Sequence, residues 1–255
     1  MSMAVTNPTT GVVEKTFEED TAEVVGVKIA LAQKAHEQLR HESFEQRATW
    51  MRASADLMES DVATLAPMLV REMGKPIAQA EAEVHKCVKN MRFYAEKASE
   101  FLADEPLADP SSVNASAAYA MYQPLGVILA VMPWNYPLWQ VMRFAAPALM
   151  AGNAGVLKHA SNVPESALYL HTLFTRGGFP EGCFGTLMIG ASLVNSVIDD
   201  WRVKAVTLTG SEPAGRAVAE RAGRQIKKSV MELGGSDAFV VMPSADIAQS
   251  AAVAI

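Results

Sequence analysis

The chain has 255 residues, enough for one large domain or two small ones with a substantial apolar core. Half of the residues are hydrophobic and a fifth are charged, which is typical of globular proteins and excludes disordered and fibrous classes. The net charge of −6 argues against nucleic acid or an anionic membrane surface as the main partner, so a small molecule or another protein remains.

The first hundred residues carry apolar side chains at spacings of three and four. This pattern predicts helices over residues 22–39, 43–73 and 77–101. A Gly-Lys-Pro sequence at 74–76 separates the last two helices. Ser43, followed three residues later by Gln46, forms a capping-box pattern that marks the start of the second helix. We interpret this region as a helical scaffold.

After a loop over residues 104–110, short β-branched and apolar runs alternate with helical segments. The expected strands cover residues 117–122, 126–132, 155–158, 185–189, 205–209, 229–232 and 238–242. The expected helices cover residues 137–150, 164–175, 193–198 and 215–222. The alternation predicts an α/β fold, with a mostly parallel sheet and helices on both of its faces.

Polar or glycine-rich residues follow five of the expected strands, and parallel sheets bind ligands at the carboxyl ends of their strands. The residues at these ends are Trp134 and Asn135, then Lys158, Gly190, Thr209 to Ser211, and Glu232 to Gly235. The sequence therefore predicts a ligand site along this edge of the sheet.

Gly210 and Ser211 precede a helix, so backbone N–H groups and a hydroxyl would face a ligand beyond its N-terminus. A phosphate suits such a place, and the alternative is that Ser211 serves only as an N-cap. No Gly-x-Gly-x-x-Gly follows any expected strand, and the spacing from Gly210 to Gly215 lacks the Lys-Ser or Lys-Thr of a P-loop.

Lys158, with Ser161 close behind it, suits sugar hydroxyls or a phosphate, and the alternative is a solvated loop lysine. Asn135 could donate an amide N–H to a developing oxyanion, or form an Asx turn. Glu232 ends an apolar run just before two glycines, where partial burial would raise its pKa toward general-base function. The alternative is a structural carboxylate paired with a neighbouring lysine, Lys227 or Lys228.

Two cysteines are too few for a disulfide framework, and the five histidines show no metal-ligand spacing with them. We therefore predict no metal site. Residues 1–17 lack a basic segment followed by an apolar run, and no later stretch approaches the ~20 apolar residues of a membrane span. These features favour a cytoplasmic protein without a membrane partner.

Four ordered motifs together closely resemble the aldehyde dehydrogenase superfamily. They are MPWNYP at residues 132–137, AGNAGVLK at 151–158, LTGS at 208–211 and MELGG at 231–235. The stretches 158–164 and 232–237 are most similar to its succinate-semialdehyde dehydrogenase branch. The resemblance implies a Rossmann-like cofactor domain and oxidation of an aldehyde, succinate semialdehyde, to the carboxylic acid with NAD(P).

The resemblance also implies a role for each site residue. It places Trp134 and Leu233 beside the nicotinamide, Lys158 at the adenosine ribose, and Ser211 at the pyrophosphate. The cofactor-binding residues it implies are Trp134, Asn135, Lys158, His159, Ala160, Ser161, Gly210, Ser211 and Leu233. The implied catalytic residues are Asn135, as the oxyanion donor, and Glu232, as the general base for hydrolysis.

The position three residues after Lys158 is informative about the cofactor. NAD-preferring members of the family commonly carry a glutamate there, which binds both ribose hydroxyls, but this sequence has Ser161. Without the carboxylate a 2′-phosphate meets no repulsion, and the serine hydroxyl can donate to it. We therefore predict NADP as the cofactor, with NAD as the alternative.

The family's nucleophile is a cysteine that lies beyond this glutamate, and no cysteine follows Glu232 here. Cys87 and Cys183 suit buried, small apolar positions instead. Residues 251–255 resemble the middle of a helix, so we expect a chain cut before the catalytic domain. It would be an incomplete enzyme or an inactive dinucleotide-binding fragment of a truncated reading frame.

The resemblance finally implies a division of the chain. Residues 1–110 form the N-terminal helical part of the cofactor domain, and residues 126–255 form a truncated dinucleotide-binding core. Residues 111–125 contain the strand of an oligomerisation arm, so a complete relative would be a homo-oligomer. An edge strand left unpaired invites aggregation.

Overall fold

The structure is a computed structural model that describes residues 3–254 of the chain. It begins with an antiparallel hairpin of two strands, which is followed by four helices. These elements are β1 (Met3–Thr6), β2 (Val13–Phe17), α1 (Ala22–Leu39), α2 (Phe44–Ser60), α3 (Val62–Met73) and α4 (Ile77–Phe101). The hairpin was not expected from the sequence. The predicted helices over 22–39 and 77–101 are confirmed.

The single helix predicted over residues 43–73 is wrong, because the structure divides it at Asp61. This residue leaves the helical backbone, with φ −85° and ψ 2°. Its carboxylate accepts hydrogen bonds from the Tyr169 hydroxyl and from Arg176, both at 3.0 Å, so a distant helix holds it at the break. The predicted start is confirmed, since the Ser43 hydroxyl accepts a hydrogen bond from the Gln46 N–H at 3.1 Å.

The remainder of the chain alternates strands and helices after a short antiparallel hairpin. The elements are β3 (Glu105–Pro106), β4 (Tyr119–Ala120), β5 (Val127–Met132), α5 (Trp139–Met150), β6 (Ala154–His159), α6 (Pro164–Arg176), β7 (Phe184–Thr186), α7 (Val194–Asp199), β8 (Val203–Thr209), α8 (Glu212–Arg224), β9 (Lys228–Glu232) and α9 (Ile247–Ala254). The strand predicted over 117–122 shrinks to two exposed residues, because the two-residue β3 is its partner.

The strand predicted over residues 238–242 is wrong. These residues form no regular element, and Val240 is 73% exposed. Their apolar, β-branched composition favours a strand, but a strand also needs a paired neighbour. Among residues 3–254 no strand pairs with this segment.

Five strands form one parallel sheet in the order β7-β6-β5-β8-β9, which confirms the predicted α/β class. Helices α2 to α6 pack against one face, over Met132 and Leu157. Helices α1, α7 and α8 cover the other face, over Leu129, Val156 and Val206. The strand order reverses direction between β5 and β8, and parallel sheets of this kind bind ligands at such a reversal.

In the part of the chain that the structure describes, no helix is both long enough and apolar enough to cross a membrane. Nor do the described residues bring three or more His, Cys, Asp or Glu side chains together as a metal site would require.

Candidate functional site

A crevice of about 360 Å³ opens where β5, β8 and β9 end. The parallel register brings these ends together, because Val131 pairs with Leu208 and Thr209 pairs with Glu232. The crevice is lined by Pro133, Trp134, Asn135, Gln140, Thr209, Gly210, Ser211, Glu232, Leu233 and Gly234. Six of the predicted site residues are therefore neighbours in one cleft, at the reversal of strand order.

The N-terminus of α8 forms one wall of the crevice. Ser211 has the extended backbone of an N-cap residue, but its side chain accepts no capping hydrogen bond within residues 3–254. In the described part of the chain, Ser211 therefore occupies the N-cap position without forming the capping hydrogen bond that the alternative interpretation required. Because first-turn amides lack partners within a helix, this end offers N–H groups and a hydroxyl to an anion.

The turn into α8 is also tied to the neighbouring strand. The Gly210 N–H donates to the Glu232 carbonyl at 3.0 Å, which joins the ends of β8 and β9. A Cβ on Gly215, in the first turn of α8, would lie 2.5 Å from a methyl carbon of Leu233. The missing side chain at Gly215 is what lets Leu233 pack against the helix.

The loop after β5 forms the facing wall. Trp134 is 51% exposed, and Asn135 is exposed beside it. Among the described residues no hydrogen bond engages the Asn135 side chain, so the Asx-turn alternative is not formed. Its amide is free to donate into the crevice.

His159 is buried beneath this loop and hydrogen-bonds to it. Its Nε2–H donates to the Pro137 carbonyl at 2.9 Å, and its Nδ1 accepts from the Ala160 N–H at 2.8 Å. This pattern requires the neutral ring, and burial lowers the pKa of His159 to about 4. The predicted site residue is thus a neutral, buried link between the ends of β5 and β6.

Lys158, Ala160 and Ser161 lie at the end of β6, beside the crevice but outside its lining. Side chains alternate along a strand, so Lys158 projects to the opposite face of the sheet from His159. Burial lowers the pKa of Lys158, and the nearby Glu19 charge acts in the other direction. The Ser161 carbonyl accepts from the Ala4 N–H at 3.2 Å, so β1 supports this turn.

Glu232 differs from what the sequence indicated. Its side chain is 52% exposed, so the expected partial burial is wrong: β9 is an edge strand of the sheet, and four of its five residues are exposed. Its partner is Arg143 of α5, at 3.0 Å between Nη2 and Oε2, and neither of the expected lysines. Lys227 instead donates to the Ile198 and Asp200 carbonyls.

Arg143 is a candidate site residue that the sequence analysis missed. It also lines a second cavity of about 430 Å³, between α5 and the strands β8 and β9, which Glu232 borders as well. One signal could have revealed it, because Arg143 is the only charged residue of α5, whose other residues are apolar except for Gln140. Its position facing Glu232 depends on how α5 packs over the sheet.

Both cysteines are buried away from the crevice, as expected for small apolar positions. Cys87 lies in α4, and Cys183 lies just before β7. Burial raises the pKa of each thiol above its ordinary value, so neither forms a thiolate near neutral pH.

Comparison with known proteins identifies the family to which this chain is similar. The sequence profile described as the aldehyde dehydrogenase family matches residues 1–255. The chain is 56% identical to the NADP(+) succinate-semialdehyde dehydrogenase 1 of Mycobacterium tuberculosis, over all of this chain and 56% of that protein. It is also 56% identical to the NADP(+) succinate-semialdehyde dehydrogenase of Mycobacterium leprae, over the same shares. The chain thus spans about half the length of the curated relatives it matches.

Solved structures agree with the same fold. The succinic semialdehyde dehydrogenase of Streptococcus pyogenes, in complex with NADP+, is 37% identical with a TM-score of 0.89, over 97% of this chain and 53% of that one. The succinate-semialdehyde dehydrogenase of Burkholderia pseudomallei is 29% identical with a TM-score of 0.90, over 98% and 52%.

Proposed function

The chain belongs to the aldehyde dehydrogenase family, and from this premise we propose that it forms the NADP-binding part of an enzyme that oxidises succinate semialdehyde to the carboxylic acid. One observation carries the proposal. The uncapped N-terminus of α8 faces Trp134 and Asn135 across the reversal of strand order, where dinucleotides bind in folds of this class.

The residues of the cleft fit a dinucleotide. Ser211 and Gly210 would hold the pyrophosphate, since they combine a hydroxyl with the positive end of a helix. Lys158 and Ser161, with Ala160 between them, would bind the adenosine ribose and its 2′-phosphate. His159 would contribute to the site indirectly, through its hydrogen bond to the Pro137 carbonyl in the loop after β5. When bound, the nicotinamide accepts the hydride that leaves the aldehyde carbon.

Two residues would act on the substrate. Asn135 would donate its side-chain N–H to the aldehyde oxygen, where negative charge develops during the reaction. Glu232 would take a proton from the water that releases the acid. Trp134 and Leu233 would flank the nicotinamide and keep solvent from it.

Arg143 supports the choice of substrate class. Succinate semialdehyde carries a carboxylate as well as an aldehyde. The guanidinium of Arg143 lines the second cavity and pairs with Glu232, which borders both that cavity and the crevice. A carboxylate and a guanidinium form a strong, directional pair. An uncharged aldehyde of similar length could not form this pair with the guanidinium.

The nucleophile is not one of the two cysteines in this sequence, because both are buried and protonated. We therefore expect these 255 residues alone to bind cofactor without oxidising an aldehyde. We also propose that the enzyme is cytoplasmic and homo-oligomeric, with the exposed hairpin of β3 and β4 as the contact between copies.

The test is cofactor affinity, measured by calorimetric titration of NADP and NAD into the 255-residue chain. We expect NADP to bind more tightly than NAD. Ser161→Glu should weaken NADP binding at least ~10-fold, which corresponds to about 1.4 kcal/mol, because a carboxylate repels the 2′-phosphate. Ser99→Glu, an equal change of charge on the exposed face of α4, is the matched control and should leave both affinities unchanged.

Equal affinities for the two cofactors, or no binding of either, would refute the cofactor assignment. An NADPH assay with succinate semialdehyde is run on the same sample. Turnover above the blank would show that a nucleophile is present after all.

A further inference from the structure

A distant helix caps the first turn of α5. Leu138 precedes this helix and has no side chain that can accept a hydrogen bond. Instead, Glu83 of α4 accepts from the N–H groups of Leu138 and Trp139, both at 2.9 Å. The other carboxylate oxygen of Glu83 pairs with Lys75, and both side chains are buried. The Lys75 ammonium also lies 3.6 Å from the centre of the Tyr136 ring.

The first turn of α6 is capped in the same way from α3. Val163 precedes the helix and cannot cap it. Glu72 accepts hydrogen bonds from the N–H groups of Glu165, at 2.6 Å, and Ser166, at 3.1 Å. It also accepts from the Ser166 hydroxyl at 2.5 Å, and it is only 2% exposed.

These two helices begin at the two loops of the proposed cofactor site. Asn135 lies just before Leu138, and Ser161 lies just before the Val163 position. Both carboxylates belong to consecutive helices, α3 and α4, so one helical hairpin holds the starts of α5 and α6 at once. His159 completes the connection, since its ring joins the end of β6 to Pro137.

We infer that Glu72 and Glu83 are positioning residues of the cofactor site, each setting the conformation of one loop. Glu83 sets the loop with Trp134 and Asn135, and Glu72 sets the turn that contains Ser161. The inference rests on the proposed function for the identity of the ligand, but the loop positions themselves can be measured without it. It assigns a role at the site to helices that the sequence marked only as scaffold.

The first experiment is hydrogen–deuterium exchange on the ligand-free 255-residue chain. Glu83→Met and Glu72→Met remove the acceptor while preserving most of the side-chain volume. We expect Glu83→Met to speed exchange over residues 134–141 at least ~10-fold and to leave 160–168 unchanged. Glu72→Met should produce the reverse pattern. Glu81→Gln, an exposed carboxylate of α4, is the control and should change neither segment.

Three further variants keep the test decisive. Glu83→Met leaves the Lys75 ammonium buried without its partner, so Lys75→Met/Glu83→Met replaces it if the single variant does not fold. Glu83→Gln and Glu72→Gln retain one acceptor oxygen and should restore part of the protection in their own segment. Exchange that rises in both segments together, or in neither, would overturn the inference.

The second experiment separates this inference from the proposed function. The ligands are NADP and adenosine 2′,5′-bisphosphate, which has the adenosine and the 2′-phosphate but no nicotinamide. Glu72→Met should weaken both ligands by the same factor, about fivefold or more. Glu83→Met should weaken NADP alone. A wild-type chain that binds neither ligand would refute the proposed function, while the exchange pattern still decides whether the carboxylates position the loops.

Discussion

Helices α5 and α8 both begin at the same crevice, yet their first turns have different partners. At α5 the buried carboxylate of Glu83 accepts the free N–H groups, whereas at α8 the Ser211 side chain forms no cap within residues 3–254. A first turn already filled by a carboxylate cannot also bind an anion, but an open one can. The capped start of α5 fixes the loop that lines the crevice, whereas the open start of α8 can bind a phosphate.

The two flanks of the sheet show a related contrast. Strand β6 is buried between helices on both faces, and its loop is held by internal hydrogen bonds. Strand β9 lies at the edge, with four of its five residues exposed. The proposed cofactor side of the site is therefore supported by burial and internal hydrogen bonds, while Glu232 has an exposed ion pair with Arg143.

The largest effect should come from breaking the capped helix start. Glu83→Ala leaves the Lys75 ammonium buried and unpaired, so we expect a loss of about 3–5 kcal/mol in the free energy of unfolding. Urea denaturation at pH 7.5 measures it. Lys75→Met/Glu83→Ala should recover part of the loss, because no buried charge then remains. Equal losses in the single and double variants would show that the ion pair is not the cause.

The capped start of α6 should make the free energy of unfolding depend on pH. Burial raises the pKa of Glu72 to about 7, above its value in the unfolded chain. The folded state therefore favours the protonated carboxyl, and the stability that this group contributes is full below about pH 4.5 and lost as pH rises to 7. Relative to Glu72→Gln, which does not titrate, the wild-type chain should lose up to about 3 kcal/mol across that window.

Urea unfolding curves at pH 5, 6, 7 and 8 for both proteins measure this difference. Glu81→Gln, at an exposed position, should follow the wild-type pH dependence. A difference between wild type and Glu72→Gln that stays constant with pH would contradict the prediction.

The smallest effect should distinguish a serine that caps from one that does not. Ser43→Ala removes the acceptor of the Gln46 N–H and should cost about 1 kcal/mol in unfolding free energy. Ser211→Ala should cost less than about 0.5 kcal/mol, because no cap is lost, yet it should weaken NADP binding. Thermal melts with and without NADP measure both quantities. Equal stability losses would mean that Ser211 is an ordinary cap.

Much of the fold was predictable because its signals are local. The three- and four-residue apolar spacing predicted both ends of α1 and α4, and the polar residues after β5, β8 and β9 marked the crevice. The errors lie where a distant partner decides the outcome. Asp61 breaks a helix because Tyr169 and Arg176 bind it, and residues 238–242 form no strand because none of the described strands pairs with them.

The sequence by itself determined the alternation of strands and helices from β5 to β9, the polar residues at the ends of β5, β8 and β9, and the family resemblance, since each depends on neighbours along the chain. Only the tertiary structure decided which side chains meet across it. Glu83 at the start of α5, Glu72 at the start of α6 and Arg143 beside Glu232 are such contacts. The physical reason is that a buried or paired charge is satisfied by whatever packing brings near it, and spacing along the sequence does not record that distance.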